Sequence, residues 1–212
     1  MMNEAASLMG IGIALLVGAA SPGPSFIVVA RTAVSRGRRA GMQTALGMGV
    51  GGLIFAVAAL LGLNAALLAA PKLYAALKLA GGAYLAYLAV RLWRGARQPI
   101  EIRTNKAGGL STTSTRHHLL GFFTQISNPK TAIVYASVFA ALLPSAPSTG
   151  FHVLVVVMVF AVEAGWYAVI AVALSSHGAQ EAYMRCKSWI DRLSGFTMGV
   201  LATRLARSAD PG

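Results

Sequence analysis

Apolar residues in this chain come in long runs separated by short basic gaps, with no strand-like alternation of apolar and polar positions. The first run, about residues 8–33, is interrupted at its centre by Ser21-Pro22-Gly23-Pro24-Ser25. Two prolines within three residues remove backbone donors and clash with the preceding turn, so no regular helix passes through unbroken. Further runs predict helix 2 over about 40–63, helix 3 over 73–93, helix 4 over 119–143 and helix 5 over 151–174. Helix 4 carries its own interruption at Asn128-Pro129-Lys130. A sixth helix, about 193–205, falls short of the ~20 apolar residues that cross a bilayer. It spans only if Trp189 and Ile190 join it and Asp191 and Arg192 lie at the interface. Loops are expected at 31–39, 64–72, 94–116, 144–148 and 175–192. The third, with Gly108-Gly109 and Ser111 to Thr115, reads as a flexible linker.

Composition sets the solvent. Of 212 residues, 56% are hydrophobic and 11% charged, where a soluble domain carries about 25% charged. A water-soluble chain of this size has no core large enough to hide so much apolar side chain. The expected class is an all-α integral membrane protein. The net charge of +12 does not point to nucleic acid, because the basic residues fall in the gaps and no basic face with interleaved aromatics exists. The gaps after helices 1, 3 and 5 hold Arg31, Arg36, Arg38 and Arg39; Arg91, Arg94, Arg97, Arg103, Lys106 and Arg116; and Arg185, Lys187 and Arg192. Those after helices 2 and 4 hold only Lys72. This bias places the basic loops in the cytoplasm and the N-terminus outside. Arg204 and Arg207 at the far end dissent mildly.

Several motifs carry little. Cys186 is the only cysteine, so no intrachain disulfide forms. His117, His118, His152 and His177 lack metal-ligand spacing, and no metal or cofactor is expected. Gly18-Ala19-Ala20 resembles a signal-peptidase site, but Glu4 precedes it without Lys or Arg and apolar sequence resumes at Phe26, so retention is expected. Gly47-x-Gly49-x-x-Gly52 matches a dinucleotide fingerprint in form alone, since no strand precedes it. Close helix packing through Gly47 and Gly51 explains it better.

The two interruptions echo each other: Pro22 and Pro129 stand 107 residues apart, each in the first helix of its half. Three helices per half orients the halves oppositely, so the expected architecture is six transmembrane helices in two inverted three-helix repeats. They fall in one domain over 1–212, with repeats at about 1–93 and 119–206 and a cytoplasmic linker at 94–118. Transporters with this plan bind substrate between broken helices. The amides opening the second half of helix 1 suit a carboxylate, with Gly23 leaving the backbone accessible. Thr124, Gln125, Ser127 and Asn128 bring polar groups to the second break, some only to satisfy backbone freed by Pro129.

Glu163, near the middle of helix 5, must be neutralised by a proton, paired, or turned to water. Lys130 sits at a similar depth. The two form an ion pair that only ties helices together, or act separately, Glu163 on a proton or a substrate ammonium and Lys130 on a carboxylate. The sequence leaves both open. No nucleophile–base pair, metal cluster, phosphate loop or paired carboxylates appears, so an enzyme or an ATP-driven pump is not expected.

Taken together, Ser21 to Ser25, Arg36-Gly37-Arg38-Arg39-Ala40-Gly41, Leu61-Gly62-Leu63, Leu79 to Leu85 and Ser127-Asn128-Pro129-Lys130 resemble the LysE/RhtB amino-acid exporters (threonine, homoserine and lysine efflux type) over nearly the whole chain. The resemblance implies a bacterial inner-membrane secondary transporter. It would export amino acids or close derivatives, with protons as the coupling partner, lipid as surroundings and a homo-oligomer left open. Carried over residue by residue, the family's functional motifs fall on Ser21, Pro22, Gly23, Pro24 and Ser25 and on Asn128, Pro129 and Lys130. Many members place an acidic or polar residue where Gly51-Gly52 stands here, which shifts coupling to Glu163. The alternative is a membrane pore or a structural subunit of a membrane complex.

Overall fold

The computed structural model describes residues 4–69, 71–96, 98, 114–144, 146–175 and 177–209. Among them there is no strand, and eight helices account for nearly every residue. They are α1 (Glu4–Ala20), α2 (Pro24–Arg36), α3 (Arg38–Ala69), α4 (Pro71–Gly95), α5 (Ser114–Ile126), α6 (Pro129–Leu142), α7 (Thr149–Ala173) and α8 (His177–Ala209). The count exceeds six because both proline interruptions divide a helix in two. α1 and α2 meet at 59°, and α5 gives way to α6 at Ser127-Asn128. Most of the expected linker, 97 and 99–113, lies outside the described residues.

Three expected loops are corrected. The gap at 31–39 shrinks to Gly37, whose φ of 86° lets α2 turn into α3 within one residue. The turn expected over 64–72 is mostly helix: α3 continues to Ala69 and α4 starts at Pro71. Proline ends a helix before it and suits the first position of the next. The loop expected over 175–192 is the first half of α8. Its polar sequence stays helical because Glu181–Arg185 and Lys187–Asp191 pair at i,i+4, and because α8 packs along α4.

By length and composition, Arg38–Gly62 and Thr149–Ala173 can cross a membrane, and α1 with α2 makes a third span if the bent pair counts as one. Apolar side chains face outward at helical spacing: Leu46, Val50, Ile54 and Val57 on α3, Val153 and Val157 on α7, Leu193, Phe196 and Val200 on α8. Stripes of that extent are normal against lipid and costly against water.

Inside, apolar packing forms two clusters. One joins Ile11, Leu15, Leu60, Leu85, Val134, Val138, Val155 and Leu205. The other joins Phe26, Val29, Met48, Tyr167 and Ile170. α7 passes from Val159 in the first to Tyr167 in the second, and α3 from Ala56 to Met48. The stretch between holds Glu163 and Gly52, so a polar layer separates the two clusters where the broken helices end.

Glycines set how closely the rods approach. A Cβ on Gly47 would run into the His118 carbonyl, and one on Gly121 into the Thr44 carbonyl, so the α3 and α5 backbones touch. A Cβ on Gly51 would lie 2.7 Å from Gln125 Cβ. This bears out packing through Gly47 and Gly51. Gly121→Val is expected to destabilise the protein by about 3 kcal/mol or more, read as a lowered unfolding midpoint in detergent. A midpoint at the wild-type value would show that α5 can move away at no cost.

Candidate functional site

The site begins with a missing hydrogen. In an unbroken helix the Gly18 carbonyl would accept from the amide four residues on, but that residue is Pro22. α1 therefore stops at Ala20, and its last carbonyls need other partners. They find Lys130 from the second break. Its Nζ donates to Gly18 O at 3.1 Å, Ser21 O at 2.8 Å and Ser21 Oγ at 2.9 Å. Gly23 makes room, since a Cβ there would sit 3.3 Å from Nζ. Gly23 itself is extended and opens α2 without a side-chain cap.

The second break is built the same way with a different cap. Asn128 Oδ1 accepts from the Lys130 amide at 3.1 Å, capping α6 ahead of Pro129. The Asn128 Nδ2 group donates to Ser25 Oγ at 2.9 Å, and Ser25 Oγ donates to Gln125 Oε1 at 2.7 Å. The two interruptions are thus joined by direct hydrogen bonds between residues more than 100 positions apart.

Glu163 lies 3% exposed on the opposite wall. Tyr135 donates its hydroxyl to Oε1 at 2.9 Å, while Oε2 makes no hydrogen bond as close, the side-chain amide of Gln125 being the other protein group beside the carboxyl. A buried carboxylate so placed is costly unless water, a cation or a proton meets that oxygen. Among the described residues no ion pair joins Lys130 to Glu163; each has the partners just named. The tie between helices that the sequence allowed is not formed. A Cβ on Gly52 would lie 3.1 Å from both Glu163 Cγ and the Tyr135 hydroxyl. The space that a larger residue of α3 would occupy is filled by Glu163 and Tyr135.

Between these walls is a cavity of about 20 Å³, room for about one water. It is lined by Ser21, Gly23, Ser25, Asn128, Lys130 and Glu163, with Tyr135 and Tyr167. On the other side of Lys130 a vestibule of about 480 Å³ is lined by Pro22, Pro24, Pro129, Arg91, Lys187 and Asp191. Ser21, Gly23, Asn128 and Lys130 line both. Ser21 to Ser25, Asn128 to Lys130 and Glu163 therefore each border one space or the other. Thr124, Gln125 and Ser127 border neither.

Sequence reasoning missed four participants. Tyr167 stands four residues after Glu163, on the same helix face. Tyr135 is an aromatic hydroxyl in an apolar helix, which needs a partner when buried. Lys187 and Asp191, placed in a polar loop and at the interface, form a buried pair at 2.6 Å, and Lys187 also reaches Gly95 O at 3.1 Å. Their i,i+4 spacing was the available signal.

Known proteins bear on this arrangement. The model of the LysE type translocator family matches residues 16–209. The threonine efflux protein of Escherichia coli K12 is 31% identical over 85% of this chain and 87% of its own length. The uncharacterized membrane protein YahN of the same organism is 27% identical over 87% of this chain and 82% of its own. An uncharacterized membrane protein of Haemophilus influenzae is 26% identical over 89% and 90%. No solved structure matches the chain. The chain is a multi-pass membrane protein and a translocator rather than an enzyme: it belongs to the LysE type translocator family.

Proposed function

We propose that this protein exports an amino acid from the cytoplasm by alternating access, driven by inward movement of protons. The observation that carries the reading is the junction of the two breaks, where Lys130, Ser21, Ser25 and Asn128 meet across from Glu163. In this reading the substrate enters from the vestibule. Its carboxylate approaches the opening of α2 at Gly23 and Pro24 beside the Lys130 ammonium. Its ammonium meets Glu163, whose second oxygen makes no close hydrogen bond. The central cavity is too small for an amino acid as it stands, so the helices must part to admit one, as a carrier requires and a standing pore does not. The relatives named for threonine efflux favour a small polar amino acid.

Six spans in two opposed halves fit this plan. Arg31, Arg36 and Arg116 gather around one cavity, while Glu4 at the start of α1 accepts from Ser148 ahead of α7 at the non-basic end. That separation suits an N-terminus outside and basic ends in the cytoplasm, with the vestibule, bordered by Arg91, opening inward.

The test is to overexpress the protein in cells loaded with amino-acid dipeptides and measure which amino acids accumulate outside. Saturating export of threonine or a close analogue, with exchange of labelled substrate across vesicles, is expected. Flux that neither saturates nor exchanges would indicate a pore, and no flux of any amino acid would end the reading.

A further inference from the structure

We infer that the C-terminal mouth of α1 is a monovalent-cation site that the chain keeps filled with its own Lys130 ammonium, so that export needs no sodium. The end of a half-helix concentrates partial negative charge on carbonyls that no amide satisfies. Broken helices of transporters use such carbonyls to hold coupling cations. Here Pro22 withholds the donor that Gly18 O would otherwise take, and Ser21 supplies a carbonyl and a hydroxyl beside it. The three oxygens surround one nitrogen at 2.8–3.1 Å. An ammonium has three N–H donors, and each has an acceptor.

No carboxylate is among the hydrogen-bond partners of that nitrogen: the charge is met by dipoles, as a bare cation's would be. Glu163 faces it only across the cavity, and Asp191 and Arg91 only from the vestibule. Gly23, lacking a Cβ, lets the stem of Lys130 lie along the break. A sodium ion seeking these oxygens meets a resident positive charge. Lys130 also stands between the vestibule and the inner cavity, bordering both. The tethered cation is therefore also the piece that must shift before anything passes inward to Glu163.

The consequence for transport rests on the exporter reading; the cation site does not, and the experiment has an arm for each. Purified Lys130→Ala protein in detergent is heated with propylammonium, which replaces the lost stem and head, or with tetramethylammonium, which has no N–H to donate. The expected result is a rise in unfolding midpoint of about 4 °C with saturating propylammonium, no rise with tetramethylammonium, and no rise with either in the wild type. Equal effects of the two cations, or none of propylammonium on the folded variant, would overturn the site. In the second arm, wild-type protein in vesicles exports amino acid in sodium medium and in medium where N-methyl-D-glucamine replaces sodium. Equal rates are expected; if Lys130→Ala does not fold, the wild type is heated with and without sodium instead, no shift of its midpoint being expected and a rise with sodium overturning the site. Export that stops without sodium would overturn the inference. Wild-type protein that moves no amino acid in either medium would instead sink the exporter reading, leaving the heating experiment to judge the site.

Discussion

Glu163→Gln is expected to abolish the response of export to an imposed proton gradient while leaving the protein folded. Glutamine keeps the size of the side chain and keeps an Oε1 that can accept from Tyr135, so the 2.9 Å contact survives. What it removes is the ability to alternate between charged and neutral forms in a site that is 3% exposed. A charge-assisted hydrogen bond contributes about 1.5–3 kcal/mol, and each 1.36 kcal/mol at the limiting step is about tenfold in rate. Proton-driven export of the preferred amino acid should therefore fall by about tenfold or more. Exchange of labelled substrate across the membrane should survive better than net export, because exchange need not return an empty, deprotonated carrier. The measurement is a pair of vesicle assays, one with a pH step and one at uniform pH. Undiminished export that still follows the pH step would remove Glu163 from the mechanism and return attention to groups elsewhere in the polar layer.

Pro22→Ala is the second large effect. Alanine restores an amide four residues beyond Gly18, and the Gly18 carbonyl can then join a continuing helix in place of the Lys130 ammonium. Alanine is favoured over proline by about 3 kcal/mol inside a helix, a population shift of about a hundredfold. The 59° bend between α1 and α2 should relax, and the contact from Asn128 to Ser25 should be drawn apart with it. Export is expected to fall by up to about a hundredfold, although the protein should be produced and inserted as well as the wild type. Wild-type flux from a correctly inserted variant would show that Pro24 and the packing around Gly23 maintain the break without help from Pro22.

What could be read from the chain was whatever depends on covalent structure and near neighbours. A proline lacks its hydrogen wherever it stands, so both interruptions were visible at Pro22 and Pro129, and the glycine spacing in α3 announced a close crossing. Glu163 and Lys130 stood out because charge is rare in apolar runs. Their surroundings were hidden, since Tyr135 becomes the partner of Glu163 only once α6 and α7 converge, and Tyr167 joins them only in the cavity they enclose. The same limit explains the misplaced ends of α3 and α8. Polar residues at the start of α8 look like loop until the buried Lys187–Asp191 pair and the neighbouring α4 supply what an isolated stretch lacks.

Gly37 has a mechanical corollary. α2 is a rod of 13 residues, about 20 Å long, attached at its far end by one residue whose φ of 86° few side chains tolerate and whose surroundings are open. A pivot there turns small rotations into useful travel at the opposite tip: a ~10° swing about Gly37 carries Pro24 through about 3 Å. That displacement is enough to unlatch Ser25 from Asn128, so the joint best placed to open the central chamber lies a whole rod away from it.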